Sequence, residues 1–317
     1  MRYRKLRESL CKSSPVLAQR LFFLHEMGRF PNLRDPKTFN EKLSWIMLNE
    51  LPRLTLPSRA ADKYAFRPLI EDMGLGEYLL PLLGVWESAA DIDFAALPDS
   101  FMLKCNHGCD FNIPCPSKAA ADVEGMRREL EAWMQVDWSL LSAEGHYRGI
   151  ERKIIAEPLV GAGDDEPCRD YKYYCIGGKP VFLSVVQGGI KASSDAREKR
   201  ITFYDRDCVP TEFQRADYQR IPADEQPDSD MAAKLWDASG IVARELPFQI
   251  LRVDFLVHAD EAYLLELTLT PTAGRMPIEP AEWDRKLGDM VQLPFSYGLR
   301  GWSNRRPGKR PGKRPGG

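Results

Sequence analysis

Leu251-Arg252-Val253-Asp254-Phe255-Leu256-Val257 and, after a short polar break, Tyr263-Leu264-Leu265-Glu266-Leu267-Thr268-Leu269-Thr270-Pro271 are the stretches whose reading decides the fold. Both runs are short, apolar and rich in branched or aromatic residues, as strands are, and 258–261 reads as a polar turn between them. Residues 249–257 and 262–269 are therefore expected to pair as a hairpin. Side chains alternate across a strand. Arg252, Asp254 and Leu256 then share one face, Glu266 and Thr268 share one on the second strand, and pairing sets Asp254 beside Glu266. Two carboxylates at that range repel unless a cation lies between them, and hard oxygen donors suit Mg²⁺. The alternative is a pair of strand acids neutralised by Arg252 and a lysine. In strands this apolar, an unpartnered charge is costly.

Toward the N-terminus the pattern stays β. Residues 171–176 and 180–187 read as strands joined at Gly177-Gly178, a tight-turn dipeptide, and 199–204 reads as a third. Met231, Leu235, Ala238 and Val242 fall on one face of a helix ending near Leu246. Further back come a strand over 153–160, a helix over 120–141, a strand over 100–105 and a helix over 62–73 ended by Gly74 and Gly76. Thr38, with Glu41 three residues on, caps a helix over 39–48, and 15–27 has helical apolar spacing. The class is α+β, with antiparallel hairpins and packed helices. The expected divisions are a helical N-terminal region (1–60), one α+β unit (61–152), a second carrying the paired acids (153–295) and a tail (304–317).

Of the 317 residues, 44% are hydrophobic and 28% charged, the proportions of a folded globular chain. The longest apolar runs fall well short of the ~20 residues that span a bilayer, and nothing near Met1 resembles a signal peptide, so the expected location is the cytoplasm. The net charge of −2 conceals six cations, Arg305, Arg306, Lys309, Arg310, Lys313 and Arg314, in a Pro/Gly-rich tail whose composition cannot build a core. Without them the body is near −8, which excludes a general nucleic-acid binder. The basic tail, and Arg2, Arg4, Lys5 and Arg7 at the other end, suit either a peripheral contact with the anionic inner face of a membrane or, more simply, a solvated tail and a solvated helix face. Seven cysteines, with Cys105, Cys109 and Cys115 clustered, lack paired zinc-like spacing and read as half-buried thiols.

The pattern Arg252-Val253-Asp254, nine residues, then Leu264-Leu265-Glu266 with Thr268 and Pro271 resembles the metal-binding end of ATP-grasp ligases. That resemblance implies Mg²⁺ held by Asp254, Glu266 and Thr268 against the phosphates of ATP, with Arg252 steadying the reacting carboxyl phosphate. Other stretches fall in the family's order. Asp62-Lys63-Tyr64-Ala65-Phe66-Arg67 resembles its Asp-Lys helix start, which places Lys63 and Arg67 at the nucleotide. Phe101-Met102-Leu103-Lys104 resembles the strand whose lysine meets the phosphates, followed by a loop carrying Asn106, His107 and Gly108. Here Gly108 would let the backbone approach phosphate, and His107 is a candidate base or phosphate donor. Ile154-Ile155-Ala156-Glu157-Pro158 resembles the hinge that receives adenine, near Glu157, and Asp170-Tyr171-Lys172 the strand whose acid takes the ribose hydroxyls while Lys172 reaches phosphate or substrate.

More narrowly, Phe39-Asn40-Glu41-Lys42-Leu43-Ser44-Trp45, Asp62-Lys63 with Arg67, residues 104–108, Asp170-Tyr171-Lys172-Tyr173 and Glu266-Leu267-Thr268 are similar to the TupA-like branch of ATP-grasp proteins. This implies an ATP-grasp fold, two α+β subdomains clasping ATP, and an ATP- and Mg²⁺-dependent carboxylate–amine ligase. The implied substrates are the uronic acid of a bacterial surface polysaccharide and an amino acid or peptide. Two other activities compete. Asp91-Ile92-Asp93, Asp205-Arg206-Asp207 and Asp228-Ser229-Asp230 have the DxD form of a glycosyltransferase, although three copies in an acidic chain point to chance. Phosphoryl transfer to a hydroxyl, as in a kinase, needs the same phosphate machinery as transfer to a carboxylate.

Overall fold

Thr38 opens the helix that ties the two ends of the chain together. Its hydroxyl accepts from the Glu41 amide and the Glu41 carboxylate returns to the Thr38 amide, the capping box expected from sequence. The computed structural model describes residues 2–163, 166–188 and 199–293; the basic tail, and with it the expectation for 304–317, lies outside them. The first helices are α1 (Arg2–Ser13), α2 (Pro15–Met27) and α3 (Phe39–Asn49). Asn40 of α3 donates to the Met276 carbonyl (2.8 Å) and to Asp284 (3.0 Å), more than two hundred residues away.

Where the sequence pattern predicts one helix over 62–73, the chain forms α4 (Leu56–Ala61) and α5 (Arg67–Asp72). The break has a cause. The Asp62 carboxylate accepts from the amides of Tyr64 (2.8 Å) and Ala65 (3.1 Å), a local turn that competes with helix. The strands β1 (Gly84–Trp86), β2 (Phe101–Cys105) and β3 (Asn112–Cys115) follow. The helix expected over 120–141 is also divided, into α6 (Val123–Met134) and α7 (Ser139–Ser142), because Asp137 accepts from the amide and hydroxyl of Ser139 and restarts it.

Strand β4 (Ile154–Glu157) pairs antiparallel with β1 and β2, completing a four-stranded sheet of order β1-β4-β2-β3. This sheet has its own apolar core, in which Phe101, Leu103, Ile154 and Ala156 meet Leu130 of α6.

The second sheet contains β5 (Arg169–Ile176), β6 (Lys179–Gln187) and β7 (Arg200–Tyr204). After β8 (Gln214–Arg215) and α8 (Ser229–Glu245) come β9 (Ile250–His258) and β10 (Glu261–Thr268). Its order is β10-β9-β5-β6-β7, antiparallel throughout, and both hairpins expected from sequence are present. Alternation gives it two faces. Tyr173 packs edge-on against Trp236 of α8 and against Phe255, while Lys172, Arg252 and Asp254 turn to the other side. The last elements of the described residues are β11 (Ile278–Glu279), paired to β8, and α9 (Glu282–Met290), which lies so close to the start of α3 that a Cβ on Gly288 would clash with the Lys37 carbonyl.

Candidate active site

The two sheets face each other across a cleft of about 580 Å³. One part of its wall is apolar, with Leu80, Met102, Leu159, Val186 and Leu256, and the other carries Lys63, Lys104, Lys172, Asp170, Asp254 and Glu266. The hairpin delivers the acids. Glu266 lies opposite Asp254 in the β9–β10 ladder, with a bulge between Leu264 and Glu266 that leaves Leu265 unpaired.

Cations close on these acids. Arg252 donates to Asp254 from both Nε (2.6 Å) and Nη2, and to the Thr268 hydroxyl (3.0 Å). Lys172 lies 3.4 Å from Asp254 and 3.8 Å from Asp170. Lys63 reaches Glu266 at 2.9 Å and donates to the Gly108 carbonyl at 2.8 Å. Burial alone would raise the Glu266 carboxyl, but the charges of Lys63, Arg252 and Lys172 outweigh it and hold the group far below the usual carboxylate range. Burial would likewise lower Lys172, whereas Asp170 and Asp254 push it above an ordinary lysine. Glu266 and Lys172 therefore stay ionised at neutral pH.

A second buried cluster supports the first. Glu157, at the end of β4, receives Lys104 at 2.6 Å and Arg67 at 3.2 Å, and Arg67 also donates to the Leu80 carbonyl. Lys104 lines the cleft, but neither Arg67 nor Glu157 does, so Arg67 acts on the cleft through Glu157 and Lys104.

Three loop residues stand apart from the cleft. Asn106 is fully used inside the protein. Its amide donates to Asp62 and the Glu151 carbonyl (both 2.8 Å), and its oxygen accepts from the Lys153 amide (2.7 Å). His107 is 3% exposed and its Nε2 donates to the Trp133 carbonyl at 3.2 Å. Burial pulls its pKa down to about 4, so it is neutral and turned into the core. Gly108 is needed for packing, since a Cβ there would lie 2.7 Å from the Phe111 ring. The sequence motif thus brings Lys63, Lys104, Lys172, Asp170, Asp254 and Glu266 to one cleft, with Arg252 and Thr268 behind them, and leaves Asn106, His107 and Gly108 in supporting positions.

The donor set fits a hard cation. Among the described residues no three His, Cys, Asp or Glu side chains converge as a closed cage. Asp254 and Glu266, with the Thr268 hydroxyl 3.5 Å from Glu266, form an open oxygen set instead. Mg²⁺ prefers such a set, since it retains waters and fills its shell with substrate phosphates.

Two sheets closing on a cleft that brings lysines together with a carboxylate hairpin form the architecture of an ATP-grasp protein. The sequence profile described as TupA-like ATPgrasp matches residues 41–292, and the chain belongs to that family. No curated protein matches it. Among solved structures it is similar to the D-cycloserine synthetase DcsG, at 17% identity over 73% of this chain and 69% of the other with a TM-score of 0.39. It is also similar to D-alanine–D-alanine ligase from Helicobacter pylori (14% identity, 74% and 61% covered, TM-score 0.43) and L-amino acid ligase from Bacillus licheniformis (13%, 67% and 40%, 0.38). The chain thus spans less than two thirds of the length of the last two.

Residues that sequence reasoning missed include Leu80, Met102 and Lys199, which line the cleft, and Glu144, buried in a neighbouring cavity. No local motif marks Leu80, Lys199 or Glu144, and Met102 lies in the strand motif read only for Lys104.

Proposed function

We propose that the protein is an ATP-dependent carboxylate–amine ligase. The observation that supports this best is the convergence of Lys63, Lys104 and Lys172 with Asp254 and Glu266 in one cleft, with Arg252 paired to Asp254 behind them. The apolar end of the cleft suits a purine beside Pro158 and Leu159, and the polar end suits its phosphates. Asp254, Glu266 and Thr268 would hold Mg²⁺ there. The ion supplies charge neutralisation of the transferring phosphoryl group.

The side chains divide the remaining work. Lys104, kept extended by Glu157, and Lys172 place positive charge along the phosphates, where charge develops during transfer. Arg252, once a cation relieves it of Asp254, can turn its guanidinium to a substrate carboxylate or acyl phosphate, a geometry that suits bidentate binding. The carboxylate attacks the terminal phosphorus, ADP leaves, and an amine displaces phosphate from the acyl phosphate to give an amide. The family resemblance supports the uronic acid of a bacterial surface polysaccharide as the carboxylate and an amino acid or peptide as the amine.

Contact with an anionic membrane surface fits α1 and α2, where Leu6, Val16, Leu17 and Leu21 are exposed beside Arg4, Lys5, Lys12 and Arg20. No helix of the described residues is long and apolar enough to cross a membrane.

The test is a hydroxylamine trap. The protein is incubated with Mg²⁺-ATP and candidate uronic-acid sugars or amino acids as the carboxylate; a hydroxamate is the expected product, with no amine substrate needed. Phosphorylation of a sugar hydroxyl without any hydroxamate would replace the ligase by a kinase-like activity. Release of nucleoside diphosphate from a sugar nucleotide would replace it by a glycosyltransferase.

A further inference from the structure

Behind the paired acids lies a second cavity of about 850 Å³, which shares Cys109 and Glu266 with the first. Arg4 and Arg7 reach it from α1, Arg215 from β8, Arg252 from β9, and Arg275 from the loop before β11. Four carboxylates share the wall. Glu26 is paired with Arg275 (2.9 Å), Asp217 with Arg215 (2.6 Å) and Glu266 with Lys63 (2.9 Å).

Glu144 differs from the other three. It is 5% exposed, and its oxygens accept only from neutral donors: the Trp138 indole N–H (3.1 Å), the Ser142 hydroxyl and the Thr270 hydroxyl. Among the described residues no cation pairs with it. A carboxylate can accept about four hydrogen bonds, so three neutral donors leave it both under-filled and uncompensated in charge. Burying such a group is unfavourable unless a cation arrives. Thr270, which holds it, is four residues from Glu266 on the same chain segment, so Glu144 lies next to the place where the two cavities join.

The geometry points to this cavity as the site of the amine substrate, with Glu144 holding its ammonium and the arginine-rich wall taking an acidic group on the same ligand; the class is a free amino acid. This rests on the ligase reading above and adds to it a binding site, a ligand charge pattern and a residue in contact with substrate. The step balances. The ammonium gives one proton to Glu144 and becomes a neutral amine. Its lone pair attacks the acyl carbon, the C–N bond forms and the C–O bond to phosphate breaks, phosphate taking that electron pair. The second proton leaves the nitrogen for the departing phosphate, and Glu144 returns its proton to water.

The experiment measures binding of each of the twenty proteinogenic amino acids to the full-length protein by calorimetry in the presence of Mg²⁺-ADP, alongside their N-acetyl derivatives. At least one free amino acid is expected to bind, with its N-acetyl form about tenfold weaker or more, the loss expected when a charge-assisted hydrogen bond is removed. Glu144→Gln should lower that affinity by a similar factor while ADP affinity stays unchanged. Binding by none of the twenty, equal binding of the N-acetyl forms, or full affinity in Glu144→Gln overturns the assignment. The acetyl comparison needs no variant, so it decides the matter even if Glu144→Gln fails to fold. If amino acids bind as expected but no amide or hydroxamate forms under any carboxylate, the ligase reading fails and the site stands.

Discussion

Glu266 stands opposite Asp254 because β10 carries one residue more than a regular ladder would. From the turn, where Glu261 faces His258, an unbroken register would bring Leu265 to Asp254 and turn Glu266 to the core side beside Val253. The bulge at Leu265 shifts the pairing and keeps Leu264 and Leu267 in the core while Glu266 reaches the cleft. A carboxylate in the core would be costly, whereas the bulge leaves the sheet intact.

Glu266→Gln keeps the shape and removes the charge, so Mg²⁺-dependent turnover should fall by about 100- to 1,000-fold, the loss typical of a group that acts electrostatically at the transition state. Calorimetry of ATP with and without Mg²⁺ provides the check. Affinity should lose its Mg²⁺ dependence in the variant, and an unchanged Mg²⁺ response would remove Glu266 from the metal site.

The hairpin was legible from sequence because alternation and apolarity extend over both strands. The bulge was not, since a pattern of Leu264-Leu265-Glu266 fits a regular strand equally well at the level of single residues. The pattern over 62–73 and over 120–141 implies one continuous helix each for a similar reason. Apolar spacing continues through both breaks, and what stops the helix is a carboxylate, Asp62 or Asp137, binding its own backbone. At the site, the cations were legible as residue types in the right order. Their partners were not, because Lys104–Glu157 and Lys63–Glu266 join segments 53 and 203 residues apart, and no local pattern encodes such a distance.

Lys104 holds two roles that one substitution separates. It faces the cleft and it neutralises Glu157, which is 5% exposed. Lys104→Ala should weaken ATP binding by about tenfold or more, and it should also cost about 1–3 kcal/mol of stability, since Arg67 alone remains on a buried carboxylate. Adding Glu157→Gln should restore much of the stability but none of the ATP affinity. If the double variant regains ATP binding, Lys104 contributes through Glu157 alone and does not meet phosphate.

Gly108 offers a contrast between packing and phosphate contact. A Cβ there would lie 2.7 Å from the Phe111 ring and 3.1 Å from Trp138, so Gly108→Ala should destabilise by about 1–3 kcal/mol, the usual cost of overpacking. Shortening the neighbour with Phe111→Leu should recover part of that loss. Denaturant unfolding measures both, and a Gly108→Ala protein of full stability but poor ATP affinity would return the loop to the phosphates.

His146 is expected to make the fold sensitive to acid. It is 1% exposed, neither ring nitrogen has a hydrogen-bond partner, and burial pulls its pKa down to about 3; His107, also buried, is pulled down to about 4. In the unfolded chain a histidine titrates near ~6.5, so below that pH the unfolded state takes up protons that the native state refuses. Stability therefore drops as pH falls, by about 1.4 kcal/mol per pH unit for each histidine, until the folded value is reached. Glu266 acts in the same direction at lower pH. Its carboxyl is held below the usual range, so the stability it contributes is present above ~4.3 and is lost as pH falls through its own lower value. Glu50, Asp62 and Asp284, whose carboxyls burial raises, act in the opposite direction, because the native state accepts their protons first. The total slope thus mixes several groups, but a difference between two proteins isolates one. His146→Leu removes a single titration from a site that already lacks hydrogen bonds, so its stability relative to wild type should improve by about 1.4 kcal/mol per pH unit between pH ~6 and ~4.5. Urea unfolding of both proteins across that range measures the gap, and a gap that stays constant would mean that His146 is protonated inside the fold.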